Sequence, residues 1–242
     1  MRTPELARLA ERIVLITGAS RGLGAALAER CAAEGARLIL VARTPGGLEE
    51  VDDRVRAHGG KATLVPLDLL QGEGIDRLGG VIAERYGKLD VLIGNAAELG
   101  VLSPLGHVEP KVFERVMALN AGANYRLIRS LDPLLRASDA GRAVFVTCGQ
   151  GQERRPYWGA YAASKAALEA LVLCYSAEVR HTAVGVNLVD PGPMRTRLRA
   201  QAYPGEDPGK QPEPASAVEP VLALAEPGCR RHGERMGPPP PG

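Results

Sequence analysis

Short apolar runs punctuate the chain at residues 13–17, 38–42, 63–67, 91–93, 143–147 and 184–189, with little polar alternation inside them. A strand with one wet face alternates apolar and polar side chains, whereas an unbroken run suits a strand covered on both faces. Between the runs, apolar residues recur every three or four positions over 24–33, 48–57, 75–86, 112–135 and 162–179. That spacing predicts helices with a buried stripe. Strands and helices taking turns imply crossover connections, and therefore parallel strands with helices on both sides. The pattern predicts a three-layer α/β fold with a doubly wound parallel sheet. Ligands of such sheets bind beyond the carboxyl ends of the strands, so chemistry is expected just after each run.

Composition then narrows the classes. The 242 residues suit one domain, expected over 1–236, followed by a Pro-rich tail at 237–242 that reads as disordered. Residues 201–219 are rich in Pro, Gly, Glu and Gln and read as a loop, and residues 228–237 offer only a faint seventh strand. Thirty basic residues against 28 acidic ones leave a net charge of +2, so neither nucleic acid nor an anionic membrane is an expected partner. No apolar run is long enough to span a bilayer. Cysteines at 31, 148, 174 and 229 form no CxxC pair, so no metal is expected and a reducing cytoplasm fits best.

Chemistry gathers where the strand ends predict it. Thr17-Gly18-Ala19-Ser20-Arg21-Gly22-Leu23-Gly24 lies between the first strand and the first helix. Glycines there allow a sharp turn and close approach of a pyrophosphate, and a helix N-terminus offers free N–H groups. Ala42-Arg43 ends the second strand, and Arg43 with Arg21 supplies two guanidinium forks suited to a ribose 2′-phosphate. Tyr161 and Lys165 stand four apart, on one face of a helix. With five lysines and six tyrosines in the chain, such a pairing is rarely accidental. A nearby ammonium favours tyrosinate, bringing a hydroxyl of ordinary pKa about 10 towards the range useful for general acid–base work.

These segments resemble the short-chain dehydrogenase/reductase family over about residues 10 to 200, with TGxxxGxG matched by Thr17 to Gly24 and YxxxK by Tyr161 to Lys165. The resemblance implies a Rossmann-like fold and reversible hydride transfer between NADP(H) and a carbonyl or secondary alcohol. It assigns Gly18, Ser20, Arg21, Gly22, Leu23 and Gly24 to the cofactor. NAD users usually carry an acidic residue where Ala42 stands, so NADP(H) is expected over NAD(H). Asp68 would bond the adenine amino group beside Leu69, and Asn95 and Ala96 would form the floor of the site, with Ala97 in place of the usual glycine. Pro191 and Gly192 would pass beside the nicotinamide, with Thr196 on its carboxamide. Tyr161 would be the general acid/base, Lys165 would lower its pKa and hold the ribose, and Asn120 would support a proton-relaying water. The long helix before Tyr161, together with its own helix, would form a homodimer or homotetramer interface.

One position departs from the family. Its catalytic serine stands thirteen residues before the tyrosine, and here that place is Cys148. A thiol is a weaker donor than a hydroxyl for a developing oxyanion. Thr147 is expected to face the other way and not to substitute. Cys148 therefore keeps open a second reading, a nucleotide-binding scaffold or sensor that has lost catalysis. A cysteine hydrolase fits less well, because a nucleophile elbow wants Gly where Val146 stands.

Overall fold

Parallel strands buried on both faces need apolar side chains at nearly every position. The computed structural model, which describes residues 7–149 and 155–237, meets that need in the central strands of its sheet. The strands are β1 Ile13–Thr17, β2 Arg37–Ala42, β3 Lys61–Pro66, β4 Val91–Gly94, β5 Arg142–Val146, β6 Gly185–Val189 and β7 Arg235–Met236. They form one sheet in the order β3-β2-β1-β4-β5-β6-β7, all pairs parallel. Every residue of β1, β4, β5 and β6 is buried.

The helices are α1 Gly22–Ala33, α2 Pro45–Ala57, α3 Gly72–Tyr86, α4 Pro110–Met117, α5 Ala123–Arg136, α6 Gly159–Val179, α7 Arg197–Ala202 and α8 Val218–Ala225. One face of the sheet packs on α1, α2 and α8, with Val14, Ile16, Leu38 and Leu40 meeting Leu23, Leu27, Val51 and Leu222. The other face packs on α3, α5 and α6, where Leu15, Ile39 and Phe145 meet Ile82, Leu127 and Leu168. Strand residues alternate between the two clusters, as a period of two requires. The order turns back between β1 and β4, and the crevice beyond their carboxyl ends is the switch point where α/β sheets bind ligands.

Three stretches differ from the sequence pattern. The helical stretch 112–135 is two helices, α4 and α5, joined by a π-helical turn over Ala118–Gly122, in which the Ala123 N–H reaches back five residues to the Ala118 carbonyl. Residues 201–219 are not a plain loop: α7 ends there, Pro208 and Pro214 each open a 3-10 turn, and α8 begins. Proline at a first helical position costs no hydrogen bond, so it starts turns as readily as it breaks them. The seventh strand does form, as a two-residue pairing of Arg235 and Met236 with Leu188 and Val189. Buried Arg142 steadies the segment leading to it by donating to the carbonyls of Glu226, Pro227 and Cys229. The Pro-rich tail expected at 237–242 lies outside the described residues except for Gly237.

Helix α6 buries Tyr161, Ser164, Lys165, Leu168, Val172 and Tyr175 against the sheet. Its opposite face shows Ala166, Ala170, Leu171, Leu173, Cys174 and Ala177 to solvent. Leu171 and Leu173 are 36% and 43% exposed, so the outer face of this helix is apolar and uncovered among the described residues. No helix among the described residues is long and apolar enough to cross a membrane.

Candidate active site at the carboxyl end of the sheet

A cleft of about 710 Å³ opens over the carboxyl ends of the strands. One end is built by the turn between β1 and α1. Gly18 has φ +65°, where side chains are strained, and a Cβ there would stand 3.0 Å from the Ala96 backbone and the Asn95 amide. Gly24 is buried one turn into α1, and a Cβ there would lie 2.3 Å from the Gly18 carbonyl oxygen. Gly24 therefore does not line the cleft; it lets the helix pack hard against the turn. Ser20, Arg21, Gly22 and Leu23 do line it, at the N-terminus of α1. Asn95 braces the turn, donating from its amide to the Thr17 carbonyl at 2.9 Å. The Thr17 hydroxyl accepts from the Asn95 and Ala96 backbone N–H groups at 2.9 and 3.1 Å, locking β1 to β4.

Arg43, Asp68, Leu69 and Ala96 continue the wall of this end. The exposed guanidiniums of Arg21 and Arg43 make no ion pair among the described residues. One Asp68 carboxylate oxygen accepts from the Leu70 N–H at 3.1 Å, which fixes the side chain at the rim. A glycine turn that a Cβ would fill, free N–H groups at a helix start and two open guanidiniums fit a dinucleotide carrying an extra phosphate.

The other end brings Tyr161, Lys165, Cys148, Pro191, Gly192 and Thr196 to the same cleft. Tyr161 and Lys165 are 6% and 2% exposed. The Lys165 ammonium donates to the Val146 carbonyl at 2.9 Å and sits 5.8 Å from the Tyr161 ring centroid. Cys148 packs against the apolar cluster that holds Tyr161. Burial holds the Tyr161 hydroxyl well above its usual pKa, and the neighbouring Cys148 and Asp190 push the same way. Burial also lowers the Lys165 pKa, against the upward pull of Cys148, Glu169 and Asp190. The sequence suggests a tyrosine lowered by its lysine; in this structure desolvation wins and both groups resist carrying charge.

Thr147 is turned from the reacting group, as its position predicts: its hydroxyl donates to Glu169 at 2.7 Å. Asn120 does not line the cleft. It is fully buried in the π-helical turn, where its amide donates to the Glu98 carbonyl and the Ser164 hydroxyl and its side-chain oxygen accepts from the Glu98 N–H, each at 2.9 Å. Its own carbonyl accepts from the Asn124 amide at 2.8 Å. Ser164 in turn donates to the Tyr161 carbonyl, so Asn120 ties the loop after β4 to the start of α6.

Sequence reasoning missed an apolar cluster around Tyr161 that gathers Leu99, Trp158 and Ala202, with Leu198 and Tyr203 packed against it. Trp158 lies edge-on to Tyr161, with ring centroids 5.9 Å apart. Arg199 stacks over Tyr203 at 3.7 Å and forms a two-pronged ion pair with Glu206, which holds α7 over the cleft. The scattered sequence positions of these residues gave no periodic signal.

A short chain dehydrogenase family model matches residues 12–207. The chain belongs to the short-chain dehydrogenase/reductase family. The uncharacterized oxidoreductase YciK of Escherichia coli K12 is 38% identical over 231 residues, covering 94% of this chain and 91% of YciK. A short chain dehydrogenase structure from Pseudomonas syringae superposes with TM-score 0.92 at 35% identity, covering 96% of each chain. Another, from Escherichia coli CFT073 complexed with NADPH, does so with TM-score 0.90 at 36% identity, covering 96% of this chain and 98% of that one. A short-chain dehydrogenase/reductase oxidoreductase is thus established as the class of this chain.

Proposed function

We propose that this oxidoreductase is NADP(H)-dependent and interconverts a carbonyl compound and the corresponding secondary alcohol. The observation that carries the reading is the meeting, in one cleft, of a dinucleotide cradle with a buried Tyr161–Lys165 pair. The nicotinamide, when bound, supplies or accepts the hydride. Tyr161 donates the proton that the nascent alkoxide needs, and takes it back in the reverse direction. Lys165, one turn on, would hold the ribose hydroxyls, and its ammonium works against the burial that keeps Tyr161 protonated. Gly18, Ser20, Arg21, Gly22, Leu23, Asn95 and Ala96 would hold the pyrophosphate end, with Gly24 behind them. Pro191, Gly192 and Thr196 would hold the carboxamide end, and Asp68 with Leu69 the adenine. Asn120 supports the site by fixing the backbone around Tyr161, since its side chain is already committed to Glu98 and Ser164. The apolar cluster beside Tyr161 excludes water from the reacting carbonyl and suits a substrate with an apolar substituent.

Arg21 and Arg43 favour a 2′-phosphate, and solved relatives complexed with NADPH and with NADP support the choice. Fluorescence titration at fixed ionic strength should show tighter NADPH than NADH, and Arg43→Asp should move the preference towards NADH. Equal affinities in the wild type would contradict the assignment.

Cys148 stands where a hydroxyl would donate better to the oxyanion. Cys148→Ser should raise kcat on a reducible carbonyl by about tenfold, less than the two to three decades that a whole oxyanion donor is worth. NADPH affinity should stay nearly constant. A serine variant with altered stability but unchanged kcat would leave Cys148 as a packing residue only. If the wild type and Cys148→Ser both bind NADPH and turn over no carbonyl, the scaffold reading gains.

The uncovered apolar face of α6 supports self-association as a homodimer or homotetramer, because a lone helix normally turns a polar face to water. Light scattering at micromolar protein should give a mass of two or four chains. A clean monomer would refute it.

A further inference from the structure

Behind the Tyr161–Lys165 pair, four elements are joined through two carboxylates. Glu169 lies one helical turn beyond Lys165 on α6 and is nearly buried. Its Oε1 accepts from the Thr147 hydroxyl at 2.7 Å and from Arg235 Nε at 3.0 Å. The other fork of Arg235 donates to Asp190 Oδ2 at 3.1 Å. Asp190 Oδ1 accepts from the Gly192 N–H at 3.0 Å, and the Asp190 N–H donates to the Met236 carbonyl. Lys165 itself donates to Val146, the residue before Thr147. The carboxyl ends of β5 and β6, strand β7 and helix α6 are therefore stitched together by two carboxylates and two cations.

We propose that Glu169 is a positioning residue of the reductase site: with Arg235 and Asp190 it fixes the two turns that carry Cys148 and Gly192, and it balances the charge buried at Lys165. The proposal rests on the reading of Tyr161 and Lys165 as the reacting pair. Lys165 is 2% exposed, and an isolated ammonium at that depth is costly. The titratable and charged groups that act on it come from every side: Cys148 after β5, Asp190 after β6, Glu169 on α6, and Arg235 on β7 through its two carboxylate partners. Among the described residues, two carboxylates and two basic side chains meet here. The C-terminal strand, far from the cleft in sequence, becomes part of the site's electrostatics through Arg235.

The signs follow from the charge each side chain brings. Removing the Glu169 charge makes the surroundings of Tyr161 and Lys165 more positive, so protons leave more easily. The coupled Tyr161–Lys165 pair should then titrate at lower pH. Removing the Arg235 charge makes those surroundings more negative and should shift the same titration upward. A merely structural pair would lose stability in both variants and move neither titration.

The test measures Glu169→Gln and Arg235→Gln in the full-length protein, reading the alkaline limb of kcat and the appearance of tyrosinate absorbance with pH. Subtracting the spectrum of the same protein carrying Tyr161→Phe isolates the residue of interest from the other tyrosines. Glu169→Gln is expected to move both readouts down by about one pH unit, and Arg235→Gln to move them up. Glu169→Gln is nearly isosteric and decides the matter alone if Arg235→Gln fails to fold. An unmoved tyrosinate titration in Glu169→Gln, or shifts of the same sign in the two variants, would overturn the proposal. If the wild type reduces no carbonyl, the reductase reading falls, while the tyrosinate titration still decides the role of Glu169.

Discussion

A lysine ammonium 2% exposed at the end of a parallel sheet is the constraint around which this site is arranged. Burying a cation costs several kcal/mol unless partners replace its water. The fold supplies a hydrogen bond from the Val146 carbonyl at the end of β5, and longer-range attraction from Asp190 after β6 and Glu169 on α6. Those groups converge because β5 and β6 run side by side and end at the same level, and because α6 begins beside those ends before packing along one face of the sheet. The same convergence places Tyr161 and Cys148 on the wall of the cleft. Desolvation holds both titrating groups towards their neutral forms, so modest changes in neighbouring charge have large leverage on them.

The cleft has two ends with different physics. The nucleotide end is made of backbone: positive φ at Gly18, a helix start, and a contact at Gly24 too close for any Cβ. The reacting end is made of side chains in an apolar setting, closed by α7 and its Arg199–Glu206 pair. Thr17 and Asn95 join the strands between the two ends, and Asn120 joins the β4 loop to α6. These residues act by holding backbone in place, which is why their side chains are spent on hydrogen bonds within the chain.

Much of this was legible from local pattern. Unbroken apolar runs located six strands, because parallel strands carry their burial in their own sequence. The glycine turn and the Tyr161–Lys165 spacing were legible because each places its groups within one turn of chain. The π-helical turn was not, since a helix with one extra residue keeps nearly the same apolar stripe. Strand β7 was faint because two residues carry no period. The Glu169–Arg235–Asp190 cluster and the apolar box of Leu99, Trp158 and Tyr203 join positions far apart in sequence, and only the packed fold brings them together. The direction of the Tyr161 shift also escaped sequence reasoning, which sees the neighbouring charge and not the depth of burial.

The central claim is that this cleft moves a hydride and that Tyr161 moves the accompanying proton. The most direct measurement uses NADPH deuterated at the transferable position, with apolar aldehydes and ketones as acceptors, and looks for deuterium at the carbinol carbon by mass spectrometry. The account predicts deuterium in the alcohol formed by the wild type, and its loss in Tyr161→Phe while NADPH still binds. Saturating NADPH with no deuterium in any alcohol, or undiminished transfer in Tyr161→Phe, would contradict it.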